Sequence, residues 1–312
     1  MAEGTLPVLL ILLALLVALA ITSPAYSEPA AYIALLKRSA PLMLLAIGQY
    51  FVIVSGGFDL SVGSLVTAQV VIAARVIDGE DGRTWPVVML LLGFGLLVGL
   101  VNGLITTKLL VPSFIVTLGM LLILDGAVFL WTGGAPRGDL SDSFRKLGRE
   151  GIDDFPVINQ LPWSVLILAA LVIAAVVFMR SGTGRTLVAT GDNDRAVRLA
   201  GGNVDNLRIL AFILSGVLAS VAAILLAGFA GVSAQAGVGL EFRAITAVVL
   251  GGVVLGGGRG SVVAAMAGAL TLEALFTLLN ILGVSAALES TVQGVIIIAA
   301  VAFAAYRLRG AR

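Results

Sequence analysis

Ten runs of apolar residues, separated by short polar connections, leave this chain few ways to fold. They cover residues 6–21, 40–55, 60–77, 86–105, 113–131, 163–179, 210–229, 242–255, 262–281 and 289–306. Most approach the ~20 residues that a helix needs to cross a bilayer. Of the 312 residues, 59% are hydrophobic and only 12% charged, against roughly 25% charged in a soluble domain. So much apolar surface cannot be hidden in a soluble core, and the mean hydropathy of +1.11 says the same. The expected fold is therefore an all-α polytopic membrane protein of about ten transmembrane helices. The second and eighth runs are short and flanked by glycine, which marks them as broken or partly re-entrant. No Pro/Ser-rich linker divides the chain, so residues 1–312 read as one transmembrane domain.

The first run needs comparison with a cleavable leader. Before it, Met1–Pro7 carries Glu3 and neither Lys nor Arg. A leader begins with positive charge, so a retained helix is expected. The chain has no cysteine and no histidine, which removes disulfides, thiolate nucleophiles, imidazole bases and most transition-metal sites. A net charge of +1 gives no footing for nucleic acid, and no partner of that kind and no cofactor is expected.

The connections set the orientation. The segment 181–208 follows Arg180 and holds Arg185, Arg195, Arg198 and Arg208; the tail holds Arg307, Arg309 and Arg312. Basic connections stay in the cytoplasm. The connection 132–162 balances its basic residues with Asp139, Asp142, Asp153 and Asp154, and Asp78, Glu80 and Asp81 form another acidic loop. Both are expected outside, with both termini inside. Lys37 and Arg38 run against the rule, because ten crossings put them outside too.

Two polar breaks interrupt the apolar rhythm in matching places: SGGFDLSVGS at 55–64 and GFAGVSAQAGVGLEFR at 228–243. Interrupted helices in corresponding halves mark the midplane site of transporters built from repeats; packing turns are the plainer reading. In the first break Asp59 is a candidate N-cap for a helix starting near Leu60, with Ser55, Ser61 and Ser64 as hydrogen-bond partners. It is also a candidate for the wall of a solute path, and the two roles are compatible. Path candidates are Gly57, Asp59, Ser61, Asn102, Phe114, Ser233 and Gln235. Gln49, Gln69, Thr117, Asn280 and Gln293 add uncharged polar groups, and Tyr50, Phe51 and Phe58 add aromatic ones. Only Arg75 and Arg243 approach the interior as cations. That favours a neutral polar cargo over an anionic one.

The segment GRTLVATGDNDRAVRLAGGNV, from Gly184, is a charged island between apolar blocks. Asp192, Asn193 and Asp194 are candidate caps, residues 195–200 a short helix, and Gly201–Gly202 its stop. Arg195 and Arg198 fall on one face. No Walker A pattern G-x-x-x-x-G-K-[ST] occurs, so the chain does not bind ATP by that route. Energy comes from another polypeptide or from an ion gradient. The second case would make the chain an ion-coupled secondary transporter. Few acidic residues lie within spans (Asp59, Asp125, Glu241 and Glu273), and no paired acid, base and nucleophile indicates an intramembrane enzyme.

The island resembles the signature loop of the sugar-type ABC-transporter permeases, the ribose permease family, through Gly184, Arg185, Ala189, Gly191, Asn193, Ala196, Arg198, Leu199 and Gly201. GGFDLSVGS, VNGLITTKLLVPSFIVTLGM and AITAVVLGGVVLGGGRGS resemble further motifs of that family, in order. The resemblance implies a permease subunit in the bacterial inner membrane. Its implied partners are a second permease chain, identical or related, a cytoplasmic ATPase and an extracytoplasmic solute-binding protein. It also makes the island the ATPase-coupling segment, with Arg185, Gly191, Asn193, Arg195, Ala196, Arg198, Leu199 and Gly201 as its residues. The cargo it implies is a small neutral sugar, a pentose or a hexose. Asp125 stands where that family commonly has Arg, and Arg243 where it has an acidic or neutral residue. Each departure either tunes the cargo or pairs locally.

Overall fold

A computed structural model describes residues 5–156 and 158–310. Glu3 and Arg312 lie outside the described residues, as do the side chains of Arg307 and Arg309. The chain is helical almost throughout: α1 (Thr5–Thr22), α2 (Pro29–Val54), α3 (Val62–Ile77), α4 (Thr84–Lys108), α5 (Ser113–Thr132), α6 (Asp142–Arg149), α7 (Trp163–Arg180), α8 (Gly182–Asp192), α9 (Asp194–Leu199), α10 (Val204–Ala230), α11 (Leu240–Leu250), α12 (Val262–Ile281) and α13 (Ala286–Gly310). One antiparallel hairpin, β1 (Gly151–Phe155) with β2 (Asn159–Pro162), sits in the long polar connection and pairs Gly151 with Pro162. Every apolar run is a helix. Seven helices among the described residues are long and apolar enough to cross a membrane.

Where helices begin and end follows local chemistry. Pro29 opens α2, and Pro112 and Pro162 precede α5 and α7, positions where a missing N–H costs nothing. Gly133 closes α5 in the left-handed conformation. The second run departs from expectation. It is not short: α2 extends back to Pro29 and spans 26 residues, with Lys37, Arg38 and Pro41 inside it. The two charges and the proline read as a boundary in sequence. In the fold, Lys37 reaches out of the helix to the carbonyl of Arg149, and Pro41 is absorbed within the helix. The eighth run is short as expected, for α11 has 11 residues, a rise of about 16 Å. The third, α3, has 16.

The direction of each helix can be traced through contacts at its ends. One end of the molecule gathers the connection 132–162, Lys37, Asp81, which accepts from the Ser143 N–H, and Gly228 against Gly148. The other gathers the island, Val54, Lys108 and Asp205. Hence α2 and α10 run antiparallel through the centre. The break after α2 turns back into α3, which returns to the 132–162 end. The break after α10 turns back into α11, which runs to the island end. The unit of long helix, break, half-length helix and long helix (α2–α3–α4 and α10–α11–α12) is thus used twice in opposite senses. Packing follows the same rule: α3 and α4 lie on α10, while α11 and α12 lie on α2.

The centre is closed by small residues. Gly48 of α2 lies 3.1 Å, measured from an ideal Cβ, from the backbone of Ser215 in α10. A Cβ on Gly95 of α4 would collide with the carbonyl of Gly216 in α10, and one on Gly216 with that of Gly95. Lipid gives no hydrophobic drive between helices, so such close backbone approach supplies the dispersion that holds the bundle.

Candidate functional site

At the first break the chain turns sharply: Gly56 has φ +91° and the Gly57 N–H returns to the Val52 carbonyl at 2.9 Å. Helix α3 starts at Val62, two residues later than expected, and its cap position is Ser61. Asp59 therefore does not cap the helix directly. Its Oδ1 accepts the Ser61 N–H at 3.0 Å and the Ser61 hydroxyl at 2.6 Å, and so fixes the residue from which the helix starts. Its Oδ2 accepts the Ser215 hydroxyl of α10 at 2.8 Å. Asn102 of α4 donates to Ser61 Oγ at 2.9 Å. Phe58 N–H donates to Ser113 Oγ at 3.0 Å, and Thr117 donates to the Phe58 carbonyl at 3.3 Å, which ties α5 to the same turn. One short loop thus organises α3, α4, α5 and α10. The network is closed to solvent at Asp59, which is 2% exposed, and Asn102 Oδ1 is buried beside it without a hydrogen-bond partner among the described residues. Gly57 packs here on Phe212 and Ser113.

The second break, residues 231–239, reaches the start of α3. The Gly237 N–H donates to Thr67 Oγ1 at 2.9 Å, and a Cβ on Gly63 would collide with the Glu241 carboxylate. The N-terminal ends of the two half-length helices therefore pass each other inside the bundle. Ser233 and Gln235 stay within their own break, where the Gln235 N–H meets Ser233 Oγ at 3.1 Å. Phe114 stands apart from the Asp59 network on the open face of α5, 53% exposed. Phe114, Leu118, Leu122, Asp125 and Phe129 recur at helical spacing as one exposed stripe of α5. Arg243 pairs locally: its guanidinium is 3.5 Å from Glu289 and 3.9 Å from Glu273, and it stacks 5.1 Å over the Phe276 ring. These groups and Arg38 border a cavity of about 690 Å³ between the α1–α2 connection and α11–α13.

The island is two helices where the sequence indicated one. The first, α8, was hidden by Gly182 and Gly184, poor helix formers, although Ser181 caps it by accepting the Gly184 N–H. Asn193 then caps α9 by accepting the Ala196 N–H at 2.9 Å. Gly201, at φ +82°, lets the Gly202 N–H return to the Val197 carbonyl and stops the helix. Val197 faces inward, while Arg185, Asn193, Arg195, Ala196, Arg198, Leu199 and Gly201 are exposed. Arg198 is not a free charge: it bonds Asp205 at 2.6 Å, and Lys108 joins the same carboxylate at 3.4 Å. Arg195 has no ionic partner among the described residues, and Leu199 is 83% exposed. Ser215, Thr67, Ser113 and Glu289 escaped the sequence reading, and Arg208 entered it only as a basic residue that sets the orientation. All are polar residues within or at the ends of apolar runs, which was the available signal.

A family profile described as branched-chain amino acid transport system / permease component matches residues 31–301. The ribose import permease protein of Escherichia coli is 36% identical over 296 residues, 93% of this chain and 91% of its own length. That of Bacillus subtilis is 34% identical over 92% of this chain and 88% of its own. The autoinducer 2 import system permease protein of an Enterobacter species is 35% identical over 93% and 83%. No solved structure matches the chain significantly.

Proposed function

The chain belongs to the branched-chain amino acid transport system / permease component family and is the membrane permease subunit of an ATP-binding-cassette importer; from that premise we propose that it carries a small neutral sugar, a pentose or a hexose, inward. The observation that carries the cargo reading is the resemblance along nearly the whole chain to permeases named for ribose and autoinducer 2. The polar groups at the breaks agree with it. Asp59, Ser61, Asn102, Ser215 and Thr67 are hydroxyl, amide and carboxylate groups, and Arg243, one of the two cations near the interior, is held by two glutamates.

The path is proposed to run along the exposed stripe of α5 and past the second break, with Phe114, Ser233 and Gln235 beside it. An ionised carboxylate facing lipid at the middle of a span costs about 2.5 kcal/mol or more, so a carboxylate there faces water or protein. Asp125 is exposed on that stripe, and a second permease chain set against α5 would enclose it. Gly57, Asp59, Ser61 and Asn102 form the hinge of the path.

The segment 181–208 is proposed as the cytoplasmic docking site of the ATPase, 132–162 as the face toward the solute-binding protein, and both termini as cytoplasmic. The chain itself hydrolyses nothing. Exposed Arg195 and Leu199 are the free contact groups of α9, and Arg198 holds the helix in place through Asp205. Replacing Arg195 by Glu and Leu199 by Asp together is expected to release the ATPase subunit from the purified complex while the permease stays folded. An ATPase that still co-purifies in full would refute the docking role.

A further inference from the structure

The island does not hang from the bundle by its two connections alone. The end of α8 is wedged into the bundle, backbone against backbone. A Cβ on Gly191 would collide with the Val54 carbonyl, the last residue of α2, and would lie 2.7 Å from the Gly258 nitrogen. Gly258 belongs to the loop that follows α11, and its N–H donates to that same Val54 carbonyl at 3.0 Å. A Cβ on Gly258 would in turn fall 2.7 Å from the Asp192 backbone. Three chain segments thus meet with no side chain between them to yield.

A second tie lies beside this junction. Arg208, in the second turn of α10, donates from Nε to the Ser55 carbonyl at 3.3 Å and from Nη2 to Asp194 Oδ2 at 3.4 Å. Asp194 is the first residue of α9, and Ser55 is the first residue of the break. The planar guanidinium offers several donors in one rigid fork, which suits it to hold two acceptors at a fixed separation. About two turns further along α10, Ser215 grips Asp59. The 55–61 break is therefore held at both ends by one helix, and its near end is shared with α9.

We propose that Arg208 is a positioning residue for transport, which together with the Val54–Gly191–Gly258 junction carries displacement of the α8–α9 segment into the first break and into the loop that ends α11. The junction touches the first break through Val54 and the loop of the second half-length helix through Gly258. Close-packed backbone moves as a unit and does not absorb strain. A shift of α9 toward or away from the membrane thus moves the turn that positions Asp59 and the end of α11 together. This inference rests on the reading of α9 as the docking site, and extends it from contact to transmission.

The test uses the complete importer, with its ATPase and binding protein, in proteoliposomes and measures solute moved per ATP hydrolysed. Arg208→Ala is expected to keep the ATPase bound while this ratio falls about tenfold, within the usual scale of coupling between sites. Arg208→Lys should restore part of the ratio, because it keeps the charge and loses the fork. Asp194→Asn should lower the ratio, and the double variant Arg208→Ala/Asp194→Asn should be no worse than Arg208→Ala, because both break one link. A normal ratio in Arg208→Ala, or losses that multiply in the double variant, would overturn the proposal. Release of the ATPase from Arg208→Ala would overturn it as well, by making Arg208 a docking contact. If Arg208→Ala yields no folded chain, Arg208→Lys and Asp194→Asn decide the question by the same ratio. The docking reading fails separately, if the Arg195/Leu199 variant retains its ATPase.

Discussion

Asp59 accepts three hydrogen bonds and pairs with no cation among the described residues. Its carboxylate is the common acceptor for the start of α3 and the middle of α10, so its shape matters before its charge does. Asp59→Leu strands the Ser61 N–H and the Ser61 and Ser215 hydroxyls, at about 1–3 kcal/mol for each buried donor. Asp59→Asn keeps one oxygen for Ser61 and is expected to cost far less. Thermal unfolding of the two purified variants in detergent checks this, with Leu well below Asn; equal midpoints would remove Asp59 from the fold's supports. The sequence shows Asp59 as a polar group that needs partners and names Ser61 among them. It gives no sign of Ser215, which lies 156 positions away and is only one small polar residue in an apolar run. Arg243 is the opposite case: its local pairing was one of two open readings, and Glu273 and Glu289 realise it.

Among the elements, α4 offers a controlled comparison. Gly93 and Gly95 lie two residues apart; a Cβ on Gly93 meets nothing within 4 Å, and one on Gly95 meets Ser220 and the Gly216 backbone. Gly93→Ala should be neutral or stabilising by up to about 1 kcal/mol through helix propensity. Gly95→Ala should destabilise by about 1–3 kcal/mol, because α4 and α10 must separate. Comparable stability of the two variants would mean that the helices are not in backbone contact there. The apolar runs revealed the helices well, since every one of the ten became helical. They misplaced the start of α2, because Lys37, Arg38 and Pro41 look like a boundary, while the Arg149 carbonyl that receives Lys37 lies in a distant connection. They also missed α8, whose glycines oppose helix formation until packing at Val54 and Met179 requires them. The two breaks were legible as breaks. That they meet at Gly63 and Gly237 is tertiary, and no local pattern encodes it.

For the whole molecule, the island and the 132–162 connection are proposed to lie on opposite sides of a membrane. The chain has no cysteine, so single replacements at Asn193 and Ser143 report cleanly. An impermeant thiol reagent added to intact cells should label position 143 and leave 193 untouched until the cells are opened; the reverse pattern would invert the topology. Lys37, which faced the wrong way by charge, lies against the 132–162 connection and should label with it as Lys37→Cys. ATP-driven import of a neutral sugar is read out by uptake in the reconstituted complex. Accumulation of labelled pentose or hexose in vesicles should require ATP, the ATPase subunit and the binding protein together, and should survive collapse of the proton gradient. Uptake by this chain alone, or its loss to an uncoupler at constant ATP, would contradict the mechanism; selective uptake of a branched-chain amino acid would keep the machine and contradict the cargo.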